Sequence, residues 1–193
     1  MTNNKLRIAL STLLIIGFLF FNGPLAFAQC EPVRIMPLGD SITDEYNVAG
    51  SYRKDLYDLL EAAGYSPDIV APTAIPRFDF VGSQSDGALA DPDHEGHSGW
   101  EADDIRDNIS GWLDAKPAEI VLLHIGTNDI NGGQTAAGVA AEIGEILDNI
   151  DTYSPDVWVI LARIVNRETY HSKTADLNEA IQILADAHIH YKI

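Results

Sequence analysis

The apolar run at residues 120–125, which ends in Gly126, constrains the fold more than any other segment of this chain. A run of this kind is typical of a strand that is buried on both faces of a parallel sheet. Apolar segments at residues 33–38, 78–81 and 157–164 also have the length of strands. Because helical stretches separate these segments, we predict parallel pairing and a three-layer α/β/α sandwich with a central parallel sheet.

The predicted helices are recognised by apolar side chains that recur every three or four residues. Helical spacing relates Tyr52, Leu56, Leu59 and Leu60, which predict the first helix, and Gly64 then ends it. The same spacing predicts further helices at residues 102–113, 136–150 and 174–187. Residues 189–193 alternate between apolar and polar, as the start of another strand would.

A polar turn follows the first predicted strand, where Gly39-Asp40-Ser41-Ile42 comes directly after the apolar residues. Ligands favour the carboxyl ends of strands in open α/β sheets, so this turn would present the Ser41 hydroxyl where a small ligand can reach it. Gly, Asp and Ser are also common in ordinary turns. The segment gains weight because residues 96–100 and 124–129 form two more polar segments in a meaningful order.

This ordered set resembles the SGNH hydrolases, also called GDSL-type esterases and lipases. Gly39-Asp40-Ser41-Ile42 matches the first block of that family, with Ile in place of Leu. Ser98-Gly99 stands where the glycine block belongs, and Gly126-Thr127-Asn128-Asp129 matches the Asn block. Residues 93–100 look most like the carbohydrate acetyl-esterase branch, which includes acetylxylan esterases. The resemblance covers residues 33–193 and implies the flavodoxin-like fold that the alternating pattern also predicts.

The resemblance implies a serine esterase with three site residues. Ser41 would be the nucleophile, and the backbone N–H of Gly99 and the side-chain amide of Asn128 would hold the oxyanion. Each residue type also has an ordinary role in a turn, a loop or a helix N-cap, so the residues alone leave that alternative open. We expect the neighbouring carboxylates of Asp40 and Asp129 to order the turns.

One family block, the late Asp-x-x-His that supplies the catalytic acid and base, has no counterpart in the expected place. Neither His188 nor His190 has an Asp three residues before it. Asp91-Pro92-Asp93-His94 has the spacing but precedes the glycine block, so we interpret it as a coincidence. We therefore predict that the domain at residues 33–193 is incomplete at its C-terminus and that the chain as given has little or no esterase activity.

Residues 1–28 have the pattern of a secretory signal peptide. Lys5 and Arg7 precede an apolar run at residues 8–21, and Ala26-Phe27-Ala28 is a cleavage signal. The apolar run is short for a membrane span, which needs about 20 residues. We predict cleavage after Ala28, secretion, and a mature chain without an integral membrane span.

Charge and cysteine content restrict the partners. The chain carries 29 acidic and 12 basic residues; two of the basic ones and none of the acidic ones lie in the leader, which leaves a mature charge of −19. Such a charge argues against nucleic acid and anionic membranes as partners. Cys30 is the single cysteine and has no assigned partner. His94 and His97 lie among aspartates, but such segments are more often simply polar, so no metal and no cofactor are predicted.

The predicted function is therefore a secreted esterase that removes acetyl groups from acetylated polysaccharide or another small ester. Tyr46 and Trp100 are aromatic residues that could stack on sugars, whereas Trp112 is expected in the core. Two alternatives remain open. A short-chain lipase or lysophospholipase would need a long apolar groove, and a non-catalytic carbohydrate-binding homologue would lack an Asp-x-x-His in the rest of its gene.

Overall fold

The computed structural model describes residues 31–45, 47–67, 77–87, 89–166, 172–187 and 191–192. The predicted signal peptide, Tyr46 and His188 to His190 lie outside these residues. The helices are α1 (Ser51–Ala62), α2 (Ala102–Ala115), α3 (Thr127–Gly132), α4 (Ala136–Tyr153) and α5 (Ser172–Ala187). The strands are β1 (Val33–Gly39), β2 (Ser66–Pro67), β3 (Arg77–Phe80), β4 (Gln84–Ser85), β5 (Asp93–Gly96), β6 (Ile120–His124), β7 (Trp158–Leu161) and β8 (Tyr191–Lys192).

Within the described residues the strands form one sheet in the order β2-β3-β1-β6-β7-β8, and all neighbours on this path are parallel. Strand β1 lies at its centre. On one side β1 pairs first with β3 and then, at its carboxyl end, with β5, where Gly39 stands opposite Gly96. On the other side β1 pairs with β6 along five residues. Among the described strands, only β4, which pairs with β5, runs antiparallel.

Helices cover both faces of the sheet and give the three layers that the sequence predicts. On one face, α2, α4 and α5 bury a large cluster that includes Leu38, Leu123 and Ile143, each without exposed surface. On the other face, α1 packs Tyr57 against Phe78, with ring centroids 5.4 Å apart in an edge-to-face arrangement. The described residues therefore form two hydrophobic clusters, one on each side of the sheet.

Side chains that point outward from β7 lie on the α1 side of the sheet and remain exposed. Trp158 is 48% exposed and Ile160 is 43% exposed, although their neighbours Val159 and Leu161 are fully buried. An apolar groove of about 430 Å³ runs along this part of the sheet. None of the helices in the described part of the chain is long and apolar enough to cross a membrane.

Periodicity missed the polar and short elements. Strand β5 contains no apolar side chain, and its His94 and Glu95 are fully buried through hydrogen bonds instead. Helix α3 begins directly after β6 because Gly126, with φ of 113°, turns the chain sharply. The strand predicted at residues 157–164 is confirmed only as Trp158–Leu161, since Ala162 already leaves the ladder.

A pair of Gly→Ala substitutions tests the close contact between β1 and β6. A Cβ on Gly39 would lie 2.1 Å from the carbonyl oxygen of His124, so the strands would have to separate. We expect Gly39→Ala to lower the free energy of unfolding by about 3 kcal/mol or more. Gly111→Ala is the matched control, because Gly111 is exposed on α2 and has open space around it. This variant should raise the free energy of unfolding by up to about 1 kcal/mol, since alanine favours the helix.

Urea denaturation of both variants measures these changes. Equal effects of the two substitutions would contradict the proposed contact.

Candidate active site

Ser41 lies in a tight turn directly after β1, and the buried Asp40 holds this turn together. One oxygen of the Asp40 carboxylate accepts the N–H of Ile42 at 2.9 Å. Its backbone carbonyl accepts the N–H groups of Thr43 and Asp44, both at 3.0 Å. Ser41 itself is half-buried. The expectation that Asp40 orders the turn is therefore confirmed.

A second buried polar group lies close to the same turn. His124 ends β6 opposite Gly39, and its Nδ1 has no hydrogen-bond partner among the described residues. Burial lowers the pKa of the His124 imidazole, although the nearby Asp40 opposes this. Burial has the opposite effect on the acid Asp40: it raises the pKa of the carboxyl, although the hydrogen bond from Ile42 acts to lower it. The buried surroundings of Asp40 and His124 therefore favour the neutral form of each side chain.

Arg53 on α1 braces the Ser41 turn from below, a role that the sequence analysis did not foresee. Its side chain is fully buried, and its Nε donates to the carbonyl of Thr43 at 2.9 Å. Its Nη1 donates to the carbonyl of Pro92, also at 2.9 Å. The sequence does carry one sign of this role. Arg53 stands four residues before Tyr57, so it lies on the apolar face of the helix, where a cation is unusual.

Gly99 belongs to a second turn, which follows β5. The N–H of Trp100 donates to the carbonyl of His97 at 3.2 Å and closes this turn. Gly99 has φ of 86°, and a Cβ there would meet no atom within 4 Å. The left-handed backbone conformation, and not crowding, therefore calls for glycine. The hydroxyl of Ser98 donates to Asp44 at 2.5 Å, which ties this turn to that of Ser41.

Asn128 lies in α3, just after the end of β6. Its Nδ2 donates to the backbone carbonyl of Trp100 at 2.8 Å. The side chain therefore reaches across to the turn of Gly99 and does not bond its own backbone, the ordinary role that the sequence left open. An amide nitrogen carries two hydrogens, and among the described residues only one of those of Asn128 has an acceptor.

The structure thus brings Ser41, Gly99 and Asn128 to the same edge of the sheet. They follow β1, β5 and β6, which are neighbouring parallel strands and end side by side. The direct bonds between the turns confirm that this is one site. Their catalytic roles stay predictions.

Asp129 connects this edge to the start of α2. It is fully buried, and one carboxylate oxygen accepts the N–H of Ala102, the first residue of the helix, at 2.9 Å. The other oxygen has no partner among the described residues. Burial raises the pKa of this carboxyl to about 6, although its hydrogen bond from Ala102 acts in the opposite direction.

The sequence Asp91-Pro92-Asp93-His94 does not form an acid–base pair. His94 accepts the N–H of Gly96 on Nδ1 at 3.0 Å, so its Nε2 carries the hydrogen that bonds Asp86 at 2.9 Å. The Asp91 carboxylate instead accepts the N–H of Phe80 at 2.7 Å. Both side chains serve the structure, in agreement with the interpretation of this spacing as a coincidence.

The side chains around His94 include a group with the composition of a metal site. Asp44, Asp86 and His94 can bring ligand atoms within 4.8 Å of one another. However, the buried guanidinium of Arg53 lies 3.4 Å from the same Asp86 oxygen that faces His94. Because a fixed cation already neutralises this carboxylate, the residues do not fit a metal ion well.

Comparisons with known proteins agree with this fold. The sequence profile of the GDSL-like Lipase/Acylhydrolase family matches residues 38–192. The family 3 carbohydrate esterase of Clostridium thermocellum is 34% identical; the match covers 81% of this chain and 72% of that chain, with a TM-score of 0.69. An acetyl esterase, solved as a serine-to-alanine variant with an acetate ion, is 30% identical over 83% of this chain and 76% of that chain, also with a TM-score of 0.69.

The fold and these matches relate the chain to the class of carboxylic ester hydrolases. Within that class, the chain belongs to the GDSL-like lipase/acylhydrolase family. A multidomain esterase of Ruminococcus flavefaciens is 30% identical over an alignment of 165 residues, and the match covers 78% of this chain and 21% of that protein. The chain therefore spans about a fifth of the length of this curated relative.

The buried carboxyl of Asp129 predicts a pH dependence of folding. Its pKa of about 6 lies above the ordinary value near 4, so the folded state holds a proton that the unfolded chain releases. Stability should fall as pH rises from about 4 to 6. Asp129→Asn keeps an oxygen acceptor for Ala102 and removes the titration.

We expect the free energy of unfolding of Asp129→Asn, relative to that of the parent protein, to rise by about 2–3 kcal/mol between pH 4 and pH 7. Urea denaturation of both proteins at several pH values measures this. A difference that does not change with pH would contradict the raised pKa.

Proposed function

We propose that this protein hydrolyses carboxylic esters with Ser41 as the nucleophile. The observation that supports this is the meeting of three polar turns at one sheet edge, where the Asn128 amide donates to the Trp100 carbonyl next to Gly99. In the proposed reaction, the Ser41 oxygen attacks the ester carbonyl while a base takes its proton. The alcohol then leaves, and water releases the acyl group from the serine.

The negative oxygen of the intermediate would receive hydrogen bonds from the N–H groups of Ser41 and Gly99 and from the amide of Asn128. A fixed donor of this kind typically lowers the barrier by about 3 kcal/mol. These donors are held by hydrogen bonds already present in the structure, so they need little rearrangement when charge develops. Fixed dipoles of this kind are the main source of rate enhancement in such sites.

The base is proposed to lie outside the described residues. His94 is fully buried with both ring nitrogens bonded, and His97 bonds the buried Glu95. The imidazole of His124 is buried, and its Nδ1 is shielded from solvent. The remaining candidates are therefore His171, His188 and His190, or an Asp-x-x-His in a longer chain, as the family resemblance implies.

We propose acetyl esters of carbohydrate as the substrate. The two solved structures that support this are named a carbohydrate esterase and an acetyl esterase, at 34% and 30% identity. The net charge of −19 on residues 29–193 would repel nucleic acid and anionic lipid surfaces and leaves neutral polysaccharide as a compatible partner.

One observation favours a second candidate, an esterase for longer acyl chains. The groove of about 430 Å³ begins at Ile42, next to Ser41, and continues along Leu122, Ile160 and Val165. Its lining is mostly apolar, as an acyl chain would require. Rates on p-nitrophenyl acetate, butyrate and octanoate distinguish the two candidates, because the acetyl esterase should lose activity as the chain lengthens.

Replacement of the nucleophile tests the proposed reaction. Ser41→Ala should lower kcat on p-nitrophenyl acetate and release of acetate from acetylated xylan by about 1,000-fold or more in the longest chain that the gene encodes. The matched control is Ser110→Ala, since Ser110 is an exposed serine on α2. Full activity of Ser41→Ala would exclude the proposal.

Histidine variants and chain length test the source of the base. We expect the chain that ends at residue 193 to retain little activity, because Ser41 without a base is a neutral alcohol and a weak nucleophile. A chain extended through the next part of the gene should be active. Equal activity of both chains would place the base within residues 1–193, and alanine variants of His171, His188 and His190 would then locate it.

We also propose that the protein is secreted and that its mature chain begins near Gln29. The support is the sequence of the leader alone, with its charged start, apolar run and Ala-Phe-Ala signal. N-terminal sequencing of protein from the culture medium should begin at or near Gln29. Intact protein retained in the cytoplasm would contradict this proposal.

A further inference from the structure

His97 is fixed by a carboxylate deep inside the domain. Glu95 has no exposed surface and accepts three hydrogen bonds. Ser83 provides two of them, from its N–H and its hydroxyl, both at 2.6 Å. His97 provides the third through Nε2 at 2.7 Å. Since these contacts place Glu95 firmly, they also fix the position of the His97 ring.

The His97 ring lies in an aromatic stack. Its centroid is 4.2 Å from that of Trp100 and 4.9 Å from that of Trp112, with ring planes within 18° and 11° of parallel. Trp112 belongs to α2, whereas Trp100 closes the turn that contains Gly99. The stack therefore transmits the position of His97 to Trp100.

The backbone of Trp100 in turn holds Asn128. Its carbonyl accepts one hydrogen of the Asn128 amide at 2.8 Å. Because an amide group is planar, fixing one hydrogen also fixes the direction of the other. The Trp100 N–H bonds the carbonyl of His97, so Gly99 lies in a turn whose two ends are both set by this stack.

We propose that His97, anchored by Glu95, is a positioning residue that aligns Gly99 and Asn128, two of the three donors assigned to the oxyanion. This inference rests on the proposed esterase function. His97 acts through Trp100 and does not touch the reacting atoms. Histidine suits the position because it combines a flat ring for stacking with a donor for the buried carboxylate, which phenylalanine lacks.

Substitutions at position 97 separate the two properties of histidine. His97→Phe keeps the stack and loses the bond to Glu95, whereas His97→Gln keeps a donor and loses the ring. We expect each to lower kcat on p-nitrophenyl acetate by about 10-fold while KM changes less than about twofold, since the donors act mainly in the transition state. Tyr57→Leu, on the opposite face of the sheet, is the control for general loss of stability and should leave kcat unchanged.

A double-mutant cycle with Asn128→Ala distinguishes positioning from a merely structural role. In the Asn128→Ala background, His97→Phe should lower kcat by less than about threefold, because the amide that it aligns is gone. An equal loss of kcat in both backgrounds, or no loss in either, would overturn the inference. Unchanged kcat in Asn128→Ala alone, or full activity of Ser41→Ala, would instead refute the proposed function.

A spectroscopic readout applies even where turnover is slow. In the ¹⁵N–¹H spectrum of the protein, the two side-chain hydrogens of Asn128 should have well-separated shifts, since one of them bonds the Trp100 carbonyl. His97→Phe should bring the two shifts closer together, and Tyr57→Leu should leave them in place. An Asn128 amide signal that is the same in His97→Phe and in the parent protein would overturn the inference.

Discussion

The close approach of backbone segments around the carboxyl end of β1 is the constraint on which the site depends. A Cβ on Gly39 would lie 2.1 Å from the His124 carbonyl oxygen, and one on Gly96 would lie 2.6 Å from the Asp44 nitrogen. A side chain on Gly39 would push β6 away from β1, and one on Gly96 would push β5 away from the turn of Ser41. Only with these glycines can the three neighbouring strands end side by side. The turn of Ser41 then meets the turn of Gly99 at hydrogen-bonding distance.

Polar groups, and not apolar ones, hold this edge together, and this is energetically demanding. Arg53, His94 and Glu95 have no exposed surface, and a buried ionisable group is tolerated only when its hydrogen bonds are made. Here each has partners in other segments, such as the carbonyls of Thr43 and Pro92 for Arg53. A network of this kind fixes one arrangement of turns, because loss of any member leaves another buried group unsatisfied.

The sequence predicted the layers of the fold well, because helices and the inner strands carry their apolar side chains at regular spacing. It could not predict β5, whose buried His94 and Glu95 look like the polar residues of a loop. The order of the motifs along the chain was enough to predict that Ser41 and Asn128 share one site. What orients them stayed hidden, since the bond from Asn128 to Trp100 joins residues 28 positions apart and involves a backbone atom.

The buried carboxyls and the buried histidines make stability depend on pH in opposite directions. Burial raises the pKa values of the Asp91 and Asp129 carboxyls to about 6, so folding favours their protonated forms and stability is lost as pH rises through that range. Burial lowers the pKa values of His94 and His124, so stability is lost as pH falls below the ordinary histidine value near 6.5. A histidine base would work best where it is neutral, at a pH above its own pKa. The site would then operate where its buried carboxylates are charged, and some stability is given up for catalysis.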